Sequence, residues 1–233
     1  MSIQPAKRQR SASVAATSPS VDISEFDQIV QELSSYDQQR EIVIKRSRDI
    51  QKLSKQAIYS LHRGDDFDAS NKLKLAETAA AELAPLISQS PTLRHGSFSN
   101  SIEEYAEAVI LRTYLQDGRV ATREEVQLAE VEEYLGGVLD FTGELNRIAV
   151  AKATVRDKEA VQKARDVVET LQGQFLRFDL RNGALRKKYD ALKYTLKKLE
   201  NTLYELSLTE NGLASKPEDV PDIVVVGGDE DGL

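Results

Sequence analysis

From Asp22 onward, apolar residues recur every three or four positions. Phe26, Ile29, Val30, Leu33, Tyr36, Val43, Ile50, Leu53, Ala57 and Leu61 fall on one stripe, the repeat expected for one face of an α-helix. No glycine or proline interrupts it before Gly64. The spacing therefore predicts a single helix of about 40 residues, far longer than the roughly 10–14 of an average globular helix, and such a helix needs long partners to pack on.

The rest of the body continues in the same period. Asp65 or Asp66 can cap a second helix running to about Ser88, and Pro91 and Gly96 mark a loop. A third helix spans about Ser97 to Gln116 and stops at Asp117-Gly118. Thr122 and Glu125 have the spacing of a capping box, which predicts a short helix there. Two more helices follow, over about Val131–Lys152 and from Asp157 to about Leu180, until Asn182-Gly183 breaks the pattern. A last helix reaches about Leu208. Its Leu185, Tyr189, Leu192, Leu196, Leu199, Leu203 and Leu206 alternate spacings of four and three, the mark of a coiled-coil seam. The fold expected is all-α, one bundle of six to seven helices over 22–208 with a long N-terminal helix.

Composition adds limits. The chain has 233 residues, no cysteine and two histidines, His62 and His95. Disulfides, thiolate metal sites and a histidine-rich zinc site are excluded, and both histidines read as structural or surface residues. A bound metal would rest on oxygen donors, which favours magnesium, manganese or calcium. No apolar run approaches the roughly 20 residues needed to span a bilayer, and the start lacks the apolar stretch of a secretory signal. The cytoplasm or nucleus is the expected location. No phosphate-binding glycine loop and no nucleophile–histidine arrangement can be traced, which argues against a nucleotide triphosphatase or a covalent hydrolase.

Charge is unevenly laid out. Residues 1–21, rich in Ser, Ala and Pro, carry Lys7, Arg8 and Arg10 and no acid, which predicts a disordered basic tail with a KRQR cluster of the nuclear-import kind. Residues 209–233 carry seven acids and one lysine and read as a disordered acidic tail. Within it, Ile223–Val226 is strand-like but isolated, hence disordered or a short motif for a partner.

Two acid pairs stand out. Glu104 and Glu107 lie one turn apart, opposite the face of Ile102, Tyr105 and Val109. Asp140 and Glu144 lie one turn apart on the next long helix, opposite Leu135, Val138, Thr142, Leu145 and Ala149. Like charges at this spacing destabilise a helix by a few tenths of a kcal/mol, and a cation between them would offset that. Facing helices would thus offer four hard oxygens for one or two divalent ions, able to activate a water and steady a phosphodiester oxyanion. A solvated acidic face is the commoner arrangement, and spacing alone leaves both open. Gly136, Gly137 and Gly143 in the same helix each cost about 1 kcal/mol relative to alanine. They either break the helix or let a neighbour approach closely, which would place Asp140 away from open water.

Basic residues gather on two helices. Arg40, Lys45, Arg46, Arg48, Lys52 and Lys55 lie on the first, and Arg186, Lys187, Lys188, Lys193, Lys197 and Lys198 on the last. Either set could line phosphates, with Arg46, Arg48, Lys52, Arg186, Lys187, Lys188 and Lys193 the candidate nucleic-acid contacts. A solvated face is the commoner reading. Tyr194 could stack on a base, whereas Tyr189 sits on the leucine seam.

Three stretches carry a resemblance. VEEYLGGVLDFTGELNRIAV, RNGALRKKYDALKYTLKKLENTLYELSL and REIVIKRSRDIQKLSKQAIYSLHR together resemble the translin family, over about 25–208. The last of them looks like the first helix of the translin-associated factor X branch. Glu104 and Glu107 match that branch's E-x-x-E pair, and Asp140 with Glu144 matches its D-L-T-G-E-L-like motif, with Phe141 in place of leucine. The chain is shorter than expected of that branch, with a tight Gln116–Val131 connection. The resemblance implies the catalytic subunit of a hollow hetero-octamer formed with translin. It also implies magnesium- or manganese-dependent endoribonuclease action on single-stranded RNA, such as small-RNA passenger strands or transfer-RNA precursor fragments. Glu104, Glu107 and Asp140 would be ligands, and Glu144 a fourth ligand or the residue placing the water. The alternative is a non-catalytic paralogue that holds single-stranded RNA or DNA. The exposed apolar stripe and leucine seam point to obligate assembly.

Overall fold

The computed structural model describes residues 22–210. In chain order they form α1 (Ile23–His62), α2 (Asp66–Gln89), a 3-10 turn (Pro91–Arg94), α3 (Ser97–Asp117), α4 (Val131–Thr154), α5 (Lys158–Phe175) and α6 (Ala184–Glu210). Among the described residues there is no strand, and no helix is long and apolar enough to cross a membrane. The expectations for residues 1–21 and for Ile223–Val226 lie outside the described residues.

The chain divides into two units, residues 1–41 and 42–233. The described part of the first is the opening half of α1, where Phe26, Ile29, Val30 and Leu33 are all exposed. In the second unit the same stripe turns inward, and Val43, Ile50, Ala57 and Leu61 are buried. Val43, Ile50 and Leu61 each contribute on the order of 1.5–3 kcal/mol when fully buried, and Ala57 less. Asp65 caps α2 by accepting from the Asp68 N–H at 2.9 Å. Tyr105 of α3 donates to Glu77 of α2 at 2.6 Å.

The centre of the second unit is the crossing of α3 and α4, and α5 and α6 pack on α4 and on each other. Phe141, Leu145 and Ala149 of α4 and Ile102, Ala106 and Ile110 of α3 are fully buried. The crossing is close because α4 has no side chain where it meets α3. A Cβ on Gly137 would lie 2.7 Å from the Ala106 Cβ and 2.9 Å from the Glu107 backbone nitrogen. One on Gly136 would overlap the Glu103 carboxylate, while one on Gly143 would meet nothing. The first two glycines are therefore contact residues in an unbroken helix.

α3 ends at Gly118 in the left-handed conformation (φ 70°), with its N–H on the Tyr114 carbonyl at 2.9 Å; glycine adopts that backbone without strain. The leucine seam of α6 is used inside the chain: Leu192, Leu199 and Leu206 are buried, and Leu185, Tyr189, Leu196 and Leu203 half-buried.

Two expectations need correction. The short helix opened by Thr122 does not form, and residues 123–128 are turns. Half of the capping box is present, with the Thr122 N–H donating to Glu125 at 2.7 Å. Arg119 also grips Glu125, at 2.6 and 2.7 Å, and Ala121 and Val126 plug into the core, so the segment closes as a tethered loop. The fifth helix ends at Phe175, not near Leu180. Phe175 packs edge-on against Phe178 and stacks on Tyr189 of α6, and that aromatic cluster folds the chain back before α6.

Candidate carboxylate centre

α3 and α4 bring five acids to one side of their crossing: Glu103, Glu104 and Glu107 from α3, Asp140 and Glu144 from α4. Glu107 is the deepest, only 8% exposed. Its position follows from the Gly137 contact, which presses α4 onto the α3 backbone at that residue. It has no hydrogen bond or ion pair among the described residues. Burial, together with the charges of Asp140, Glu104 and Glu144, pushes its carboxyl up to about 8. A buried acid facing three others, with no partner of its own, is costly to ionise unless a cation joins it.

The other acids each face a cation of the chain. Glu104 has Lys55 of α1 at 3.5 Å, and burial raises its carboxyl. Glu144 meets His62, the last residue of α1, and lies 3.6 Å from Arg147. The hydrogen bond from His62 lowers its carboxyl despite burial. Asp140 and Glu103 share Lys188 of α6. Burial raises the Glu103 carboxyl. Burial also opposes the charge on Lys188, but its bonds to the two acids outweigh this and raise it.

The four acids singled out by spacing are thus neighbours in space. Three participants carried no signal in the local pattern. Glu103 reads as one more acid in a run, Lys188 as part of a solvated basic face, and His62 as a structural residue. Only the glycine at 136, which makes room for Glu103, hints at the first of them.

The donor set is all oxygen, and Glu107 is buried with no ion pair of its own, feeling Lys188 only at a distance, so the chemistry of the cluster fits a hard divalent cation. As the side chains stand, no group of three or more acids and histidines among the described residues is arranged to hold a metal. Asp140, Glu104 and Glu144 are turned to Lys188, Lys55 and His62 instead.

The basic candidates separate into two sets. Arg46 is engaged by Asp49 and by Glu82 of α2, at 3.0 and 2.6 Å. Arg186 is engaged by Asp190 at 3.0 Å. Lys188 belongs to the carboxylate centre. Arg48 and Lys52 have no ion pair among the described residues. They line a groove of about 370 Å³ with Gln51, Lys55, Gln56 and Tyr59. Lys55 links that groove to Glu104. Lys187 is exposed, and Lys193 lies 5.0 Å over the ring of exposed Tyr194. His95 is exposed and lines a different pocket, with Arg94, Arg123, Glu130 and Glu133.

The chain is similar to several known proteins. The translin of Gallus gallus is 38% identical over 91 residues, 39% of this chain and 40% of that protein. The match therefore spans about two fifths of that relative's length. The translin-associated protein X homolog of Schizosaccharomyces pombe is 28% identical over 195 residues, 75% of this chain and 76% of that one. Among solved structures, apo-NeC3PO superposes with a TM-score of 0.70 at 25% identity, covering 78% of this chain and 96% of that one. The AfC3PO–duplex RNA complex shares the fold, with a TM-score of 0.63 at 19% identity over 80% of this chain and 98% of that one. Residues 38–210, from the first long helix to the end of the last, match the translin family, and the chain belongs to it.

Proposed function

We propose that this chain is a translin-associated factor X-like subunit that cleaves single-stranded RNA with a divalent metal, magnesium or manganese, in assembly with translin. The observation that carries the reading is Glu107: a buried, unpartnered acid beside Glu104, Asp140 and Glu144. Four acids drawn to one crossing, one of them without an ion pair, are suited to a divalent cation that would ionise them together, and Gly137 lets α4 press onto the backbone at Glu107. Glu104, Glu107 and Asp140 would hold the metal, with Glu144 as a fourth ligand or the group that orients the attacking water. When bound, a divalent ion lowers the pKa of a coordinated water and stabilises charge on a phosphodiester oxygen.

The chain's own residues supply the rest. His62 fixes the Glu144 carboxylate by bonding to it. Lys55 stands between Glu104 and the basic groove, and Arg48 and Lys52 in that groove bind phosphates along the strand. The RNA complex of AfC3PO, a protein of the same fold, supports RNA as the ligand class. Passenger strands of small RNAs and transfer-RNA precursor fragments are the substrates that the motif resemblance implies.

A second reading has its own support. Lys188, Lys55 and His62 already face three of the acids, as in a non-catalytic paralogue that only binds nucleic acid. Cleavage of a single-stranded RNA, by the chain alone and with translin, separates the two. Magnesium-dependent cleavage that chelator, Glu107→Ala and Asp140→Asn each abolish, with assembly intact, is the expected result. RNA affinity without turnover in any divalent ion would establish the binding-only reading instead.

A further inference from the structure

Lys188 is set deeper than a solvated helix face would require. It comes from α6, yet its ammonium lies between Glu103 of α3 and Asp140 of α4. Gly136 is the structural device that permits this. Any Cβ there would overlap the Glu103 carboxylate, so the missing side chain leaves Glu103 the space from which it reaches Lys188. The lysine is nonetheless partly open to solvent, so it has a path out. Lys187, its exposed neighbour on the same helix, lacks any such bond among the described residues.

Asp140 therefore has two claimants: the ammonium it now faces, and the divalent ion assigned to it above. An ammonium and a divalent ion repel strongly at contact distance. Glu103 is outside the proposed ligand set and can keep the lysine when Asp140 lets go. We infer that Lys188 is the centre's resident cation, exchanging with a divalent ion at Asp140 while Glu103 retains it. The inference rests on the metal-binding reading of the centre, and it adds a residue that regulates the site. The device keeps Asp140 neutralised in the metal-free protein and makes metal binding a displacement. Lys188 is thus a positioning residue, acting through Asp140.

The test uses the full chain, with translin where the assembly requires it, and manganese alone as probe. Affinity is read by electron paramagnetic resonance of free Mn²⁺. Lys188→Gln should bind Mn²⁺ about tenfold more tightly, since the competitor is gone. Lys187→Gln, the same change of charge one residue away, should stay within about twofold, and Lys188→Arg should keep the weaker wild-type affinity. Equal or weaker binding by a folded Lys188→Gln overturns the exchange. A measurement on the wild-type chain guards against a variant that does not fold. Modification of Lys188 by an amine reagent, followed by mass spectrometry, should speed up severalfold in saturating magnesium while Lys187 is unaffected. No change at Lys188 overturns the exchange too. Wild-type Mn²⁺ binding that Asp140→Asn leaves intact, or no binding at all, removes the metal reading itself and the exchange with it. Asp140-dependent binding that is indifferent to Lys188 removes the exchange alone.

Discussion

Two glutamates are buried where α3 and α4 run together, and they are treated in opposite ways. Glu133, in the first turn of α4, is 3% exposed. Arg94 holds it at 2.5 and 3.1 Å, and it accepts the Glu130 N–H at 2.8 Å, completing a capping box. Glu107, at the α3–α4 crossing, is almost as buried and has none of this. The first is a charge the fold holds with an arginine; the second is an acid without an ion pair of its own, which the fold keeps protonated up to about pH 8. Burial alone does not tell the two apart, whereas the satisfaction of their oxygens does.

The contrast can be broken most sharply at Glu133. Glu133→Ala takes from Arg94 its buried partner, leaving it Glu130 at 2.9 Å and the Leu128 carbonyl at 3.0 Å, and should cost roughly 1.5–3 kcal/mol of stability. Glu107→Ala should leave the stability of the metal-free chain unchanged or raised. Denaturant unfolding of the two variants checks both, and an equal loss in each would erase the distinction. Next in size, Gly137→Ala should destabilise by about 1–3 kcal/mol through overpacking, because the added methyl meets Ala106 and the α3 backbone. Gly143→Ala, with nothing near, should not destabilise; thermal unfolding of the pair reads the difference.

A pH series sharpens the comparison further. Glu107 keeps its proton up to about pH 8 in the fold, against an ordinary value of 4.5. Between those values the folded chain binds a proton that the unfolded chain has lost. Stability therefore falls as pH rises through that window, by at most roughly 1.4 kcal/mol per pH unit, and levels off above it. Glu107→Gln should remove this slope in metal-free buffer, and an unchanged slope would locate the effect elsewhere. The smallest effect concerns the groove. Arg48→Ala or Lys52→Ala should each lower the salt dependence of RNA affinity by about one ion, with RNA cleavage at saturation unchanged.

Much of this architecture was legible in the residues. The unbroken stripe from Phe26 to Leu61 fixed α1, and Asp65 and Asp117-Gly118 marked helix ends, because caps and breakers act locally. The acids at 104, 107, 140 and 144 could be paired by helical geometry, and Gly137 hinted at the close crossing. What escaped was set at long range. The burial of Glu107 depends on which helix crosses α3. The role of Lys188 depends on a partner 48 residues away along the chain. The end of α5 is decided by Phe175 meeting Tyr189 across a turn, and the Thr122 segment fails as a helix because Arg119 and the core claim it first.

The distance between Asp140 and Lys188 also sets an order of events during synthesis. The acids of α3 and α4 leave the ribosome together, while their ammonium follows only with α6. Until the last helix docks, the crossing carries its negative charge with Lys55, His62 and Arg147 as its nearby cations. Docking of α6 therefore does more than cover apolar surface: it closes an ionic account opened by two earlier helices. A nascent chain halted before Lys188 would hold a more acidic and less settled crossing, and completion of the final helix would be felt at the site as an electrostatic step.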